Sequence, residues 1–170
     1  SLVPSLATSW ERVDNKTMVL KLRDGVKCHN GEDFNAEDVA FSFGPKRFKG
    51  EDAPGAAVAS QFLGNIASVE AVDPLTVKIT AESPDPLLER RFASFMGNCI
   101  CKDGFEAAES WETWNKAPIG TGPYRVAEYR PGEFIRLEAF DSYWGEKAPA
   151  KSVTYKIVPE MAARVAGLLT

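Results

Sequence analysis

The stretch "LRDGVKCHNGEDFNAEDVAFSF", Leu22 to Phe43, carries the only histidine of the chain, with Cys28 directly before it. It reads either as the start of a metal or catalytic site or as turns leading into a helix. Asp24-Gly25 and Asn30-Gly31 are turn pairs, because Gly accepts positive φ and Asp or Asn bonds its own backbone. Asn35 is a favoured N-cap. Glu37 and Asp38 place negative charge in the first turn of a helix that starts there. Val39 and Phe43 lie four apart and share a face, with Ala36 and Ala40 on the neighbouring stripe. Gly44-Pro45 should end the helix. The stretch therefore predicts a strand end, two turns and a capped helix, with His29 in a turn.

On either side lie hairpins. "SWERV" (9–13) and "TMVLKLR" (17–23) flank the turn residues Asp14-Asn15-Lys16. In the second run Met18, Leu20 and Leu22 alternate with Val19 and Lys21, which predicts one buried face. "NIASVEAVDPLTVKITAES" predicts a second hairpin turning at Asp73-Pro74, with Val77, Ile79 and Ala81 on one face. "GPYRVAEYRPGEFIRLEAF" predicts a third, turning at Pro131-Gly132. "KGEDAPGAAVAS" (49–60), small and polar, reads as a loop. "PDPLLERRFASF" reads as a short helix after Pro86, "AAESWETWN" as a helix, "KSVTYKIVP" as a strand and "EMAARVAGLLT" as a further helix. Hairpins interleaved with short helices predict an α+β fold with mixed or antiparallel sheets, not a βαβ series.

Metal and catalytic readings fare poorly. Cys28, His29, Cys99 and Cys101 are four potential zinc ligands, but no Cys-x-x-Cys spacing is present. Buried or free thiols are the favoured reading; a bridge from Cys28 to Cys99 or to Cys101 is the alternative. Neighbours in an extended segment point to opposite faces, so Cys28 and His29 are badly placed to act together. Glu37 and Asp38 are explained by the helix dipole, and Gly-x-Ser-x-Gly is absent. "GTGPY" (120–124) lacks the Lys-Ser/Thr ending of a phosphate loop and precedes a strand, so it reads as a tight turn. Trp10, Trp111, Trp114 and Trp144 are scattered and read as core anchors rather than a sugar platform. Tyr143 and Trp144, followed by Gly145, read as a loop pinned by buried rings.

The 170 residues are 44% hydrophobic and 26% charged, enough for one domain with a core. A net charge of −4 without a basic stripe argues against nucleic acid. No apolar run approaches a membrane span, and "SLVPSLATSW" has no signal-peptide pattern. The expectation is no metal, no nucleic acid and no direct membrane insertion.

Four segments, taken together and in order, resemble one family: "PSLATSWE" (4–11), "LKLRDGVKCHNGEDFNAEDVAFSF" (20–43), "PIGTGPYRVAEYRPGEFIRLEAFDSYWG" (118–145) and "VTYKIVPEMAARVAGLLT" (153–170). They are similar to the family-5 extracellular solute-binding proteins, the peptide-, dipeptide- and nickel-binding receptors of bacterial ABC importers. The likeness runs from Pro4 to the chain end and is weakest between Lys46 and Ile66. Cys28 stands where the family usually has Phe, which favours a core role. Asn35 stands where Thr or Ser is common, and each of these caps a helix.

The resemblance implies a receptor that binds a peptide or similar small solute and hands it to ABC permease subunits, without chemistry and without a cofactor. The alternative is a free-standing carbohydrate- or peptide-binding module. It implies a periplasmic location, or a cell-surface lipoprotein in a Gram-positive source. It places residues 1–170 in part of lobe I of a type II periplasmic-binding-protein fold. The family's extra subdomain would span roughly 10–115, and the second lobe would be absent. Phe95, Met96 and Asn98 match a region that approaches the cleft and are the candidate ligand contacts. Peptides, opines, nickel chelates and sugars are all taken by relatives, so the ligand is not readable.

Overall fold

The computed structural model describes residues 2–44, 56–94 and 97–168. Among the described residues seven strands form two antiparallel sheets. The first holds β1 (Ala7–Arg12), β2 (Thr17–Leu22), β3 (Ile66–Asp73) and β4 (Thr76–Ala81) in the order β1-β2-β4-β3. The second holds β5 (Tyr124–Arg130), β6 (Phe134–Ala139) and β7 (Ser152–Lys156) in sequence order. Helices α1 (Ala36–Phe43), α2 (Ala56–Leu63), α3 (Leu88–Phe92), α4 (Lys102–Ala107) and α5 (Trp111–Trp114) lie between β2 and β5 in the chain, and α6 (Met161–Leu168) follows β7. The predicted α+β class holds, and every strand pair is antiparallel.

The hairpins form where turn chemistry allows. Asp14 Oδ1 accepts from the N–H of Lys16 at 2.7 Å and of Thr17 at 2.8 Å, closing β1 onto β2. Gly132 closes β5 onto β6 at φ +77, and Gly31 turns the chain before α1 at φ +93, both conformations that disfavour a Cβ. Met18, Leu20 and Leu22 of β2 and Val77 and Ile79 of β4 are buried on one face. Val39 and Phe43 of α1 pack in the same cluster, as their spacing predicts.

Asn35 caps α1: its side chain accepts from Glu37 N, and Asp38 Oδ2 accepts from Asn35 N at 2.8 Å. Asp38 also has a role that was not foreseen. Its Oδ1 accepts from the N–H of Lys102 at 2.7 Å, so one buried carboxylate serves the starts of both α1 and α4.

Three expectations are corrected. The loop expected over 49–60 is helical from Ala56, because its alanines have the highest helix propensity and Ala59 and Leu63 bury one face; residues 49–55 lie outside the described residues. The helix expected over 107–115 is broken. Glu109 takes φ 62, and Ser110 then caps α5 by accepting from Thr113 N. The favoured reading of all three cysteines as unbridged is also overturned: Cys28 and Cys101 form a disulfide across 73 residues, with Cα atoms 6.3 Å apart, and Cys99 is not part of it. The Asp38–Lys102 bond brings residue 101 beside the turn that holds Cys28, a proximity the sequence does not show.

Trp144 is part-buried rather than enclosed. Its ring packs on the core, its Nε1 donates to Thr121 O at 3.2 Å, and the Arg23 guanidinium lies 4.7 Å from its centroid. Tyr143 lies against it at 5.1 Å between centroids. A side chain at Gly145 would meet the Tyr143 ring at 2.7 Å, which accounts for the glycine.

Candidate functional site

A cavity of about 420 Å³ opens where β1, β2, α1, α3 and the segment around Asn98 converge. Alternation along β2 sends Met18, Leu20 and Leu22 toward it, and α1 contributes Val39 and Phe43. Trp10 and Phe92 supply aromatic surface from β1 and α3, and Leu2 and Val3 lie along the mouth.

Polar groups are few. Glu89 reaches the wall, but Arg12 occupies both its oxygens, with Nε to Oε1 at 2.6 Å and Nη2 to Oε2 at 2.7 Å. The bond from Arg12 holds the Glu89 carboxyl below the usual carboxylate range, and the same bond raises the Arg12 guanidinium. The pair is internally neutralised. Ser94 and Asn98 stand at the edge, and the Ser94 hydroxyl donates to Arg91 O at 2.6 Å. Such walls can hold an apolar group by burial, with polar contacts only at the rim.

Of the predicted contacts, Asn98 is exposed and borders this cavity. Phe95 and Met96 fall outside the described residues. Trp10 and Phe92 were not foreseen as lining residues. They lie 82 positions apart (92 − 10), and no local signal joins them.

The other motifs have structural roles. The disulfide takes Cys28 and Cys101 out of the set of potential zinc ligands. His29 bonds to the backbone of Gly120 and Gly122. Trp111 and Trp114 pack around Phe105, at 4.5 and 6.0 Å between centroids, and form no shared platform with Trp10 or Trp144.

Residues 1–170 match the family described as bacterial extracellular solute-binding proteins, family 5 Middle. The dipeptide-binding protein of Escherichia coli K12 is 33% identical over 186 residues, covering 98% of this chain and 34% of that protein. The nickel-binding periplasmic protein of the same organism is 32% identical over 174 residues, covering 100% of this chain and 32% of its own length. Among solved structures, the ABC transporter-associated periplasmic binding protein DppA from Helicobacter pylori, in complex with the peptide STSA, superposes with a TM-score of 0.82. It shows 28% identity over 98% of this chain and 36% of that one. The chain thus spans about a third of the length of the relatives it matches.

Proposed function

The chain belongs to the family 5 bacterial extracellular solute-binding proteins, and from that premise we propose that it is part of a receptor that captures a solute for a bacterial ABC importer. The solute is a peptide or a similar small molecule, and it passes from the receptor to permease subunits in the membrane. The supporting observation is the apolar cavity with the Arg12–Glu89 ion pair spent internally, a surface for capture rather than reaction. The relatives named above are binding proteins, which agrees. Two of them are periplasmic by name, and the proposed location is the periplasm or, in a Gram-positive source, the cell surface. Among the described residues no helix is long and apolar enough to cross a membrane.

Residues 1–170 are proposed to lie in the first lobe. The extra subdomain is proposed to occupy roughly 10–115, with the second lobe outside residues 1–170. Tyr155, Ile157, Met161 and Val165 support this. They are 61, 45, 75 and 52% exposed, Tyr155 on the outer strand β7, Ile157 just after it and the other two on α6, and suit burial by further chain.

Phe95, Met96 and Asn98 are the proposed ligand contacts. The test is a ¹⁵N NMR titration of the chain with di- to hexapeptides at millimolar concentration. Shifts are expected to cluster at Trp10, Ser94 and Asn98. Shifts confined to the charged outer face around Arg130 and Arg136 would remove the reading.

A further inference from the structure

The segment Gly120-Thr121-Gly122 connects the part of the chain carrying the first sheet to the second sheet, and each of its carbonyls is held. His29 N–H donates to Gly120 O at 2.9 Å. Trp144 Nε1 donates to Thr121 O at 3.2 Å. His29 Nε2 lies 3.0 Å from Gly122 O. The other ring nitrogen, Nδ1, lies 3.3 Å from the N–H of Gly120. A backbone N–H only donates, so Nδ1 is the acceptor and Nε2 carries the proton it gives to Gly122 O. The neutral imidazole fits this slot with both nitrogens used. It meets the Phe140 ring in a T-shaped contact, at 5.1 Å between centroids and 77°.

We propose that His29 is a pH-sensitive latch at the joint between the two sheets: a proton added at Nδ1 ends its acceptance from Gly120 N–H and loosens the 120–122 segment. The imidazolium would face the Gly120 N–H donor to donor. It would have to turn its new N–H toward the Pro118 carbonyl, which also faces the ring. That exchange displaces the chain the neutral ring holds.

The surroundings resist protonation. Burial lowers the His29 pKa most, and the charge of Arg125 on β5 lowers it further, although Arg125 is itself paired with Glu138 at 2.6 Å. The Gly122 and Pro118 carbonyls act in the opposite direction without overcoming this. The folded-state value therefore lies below the ordinary value of about 6.5. The unfolded chain binds the proton more readily, so stability falls as pH drops. His29's contribution is fully present above about pH 6.5 and is lost as pH falls through the folded-state value.

One histidine in the chain gives one imidazole signal. The test is NMR of labelled protein, titrated from neutral to acid pH. The ring Cε1–H is expected to titrate with a midpoint below about 6.5. The Gly120 amide and the Trp144 indole N–H should move with that midpoint, and amide protection at Gly120 should be lost on the acid side. In His29→Gln, whose amide both donates and accepts but does not titrate, neither signal should follow pH. A ring midpoint at or above about 6.5 in the wild-type chain would overturn the proposal. So would a Gly120 amide that ignores the ring's titration. Both readouts stand on the wild type even if the variant does not fold.

Discussion

Replacing Cys28 and Cys101 together by alanine is expected to lower the unfolding free energy by about 4 kcal/mol. The bridge closes a loop of 73 residues, and the chain entropy that this removes from the unfolded state sets the magnitude. It fastens the turn before α1 to the start of α4 within a fully buried setting, both cysteines being 0% exposed. Urea unfolding with and without reductant reads the effect. The wild type under reductant should approach the double variant, and Cys99→Ala should keep most of the wild-type stability. A double variant within about 1 kcal/mol of wild type would show that the bridge adds little to what packing already supplies.

The second large effect belongs to Asp38→Ala, expected to cost about 3 kcal/mol. Asp38 is 5% exposed. Its oxygens accept from Asn35 N at 2.8 Å and Lys102 N at 2.7 Å, and alanine would leave both part-buried donors without that partner. Burial lifts the Asp38 pKa above the ordinary carboxylate value, while the two backbone bonds, from Lys102 and Asn35, pull it down without cancelling the rise. Asp38→Asn should recover about half of the loss, since one amide oxygen can replace only one acceptor. Chemical denaturation of the three proteins measures this. Asp38→Asn at wild-type stability would mean that the carboxylate caps only one of the two helices.

These two sites mark the limit of what the sequence reveals. Local signals were legible. Asn35 before an acidic turn located the helix start, Asp14 and Gly132 located hairpin turns, and the alternation Val77, Ile79, Ala81 identified the buried face of β4. Each depends on residues a few positions apart. The disulfide, the second bond of Asp38 and the bonds of His29 to Gly120 and Gly122 span between 64 and 93 positions. Nothing in the local pattern marks such partners. The helix α2 was missed for a different reason: alanine is small enough to read as loop composition, yet it propagates a helix better than any other residue. Of the candidate site, Asn98 came from family likeness alone, whereas Trp10 and Phe92 reach the cavity only because the sheet and α3 converge there.

The central claim is that these residues form one part of a solute receptor and bind weakly by themselves. A ligand enclosed by two lobes owes its affinity to burial on both sides. If this chain supplies half of a micromolar interaction of roughly −8 kcal/mol, the remainder corresponds to a dissociation constant of about 1 mM. Isothermal titration of the 170-residue chain with a di- to hexapeptide library should therefore give no binding tighter than about 1 mM. A micromolar peptide would contradict the account, because the whole site would then lie within this chain and the protein would be a free-standing binding module.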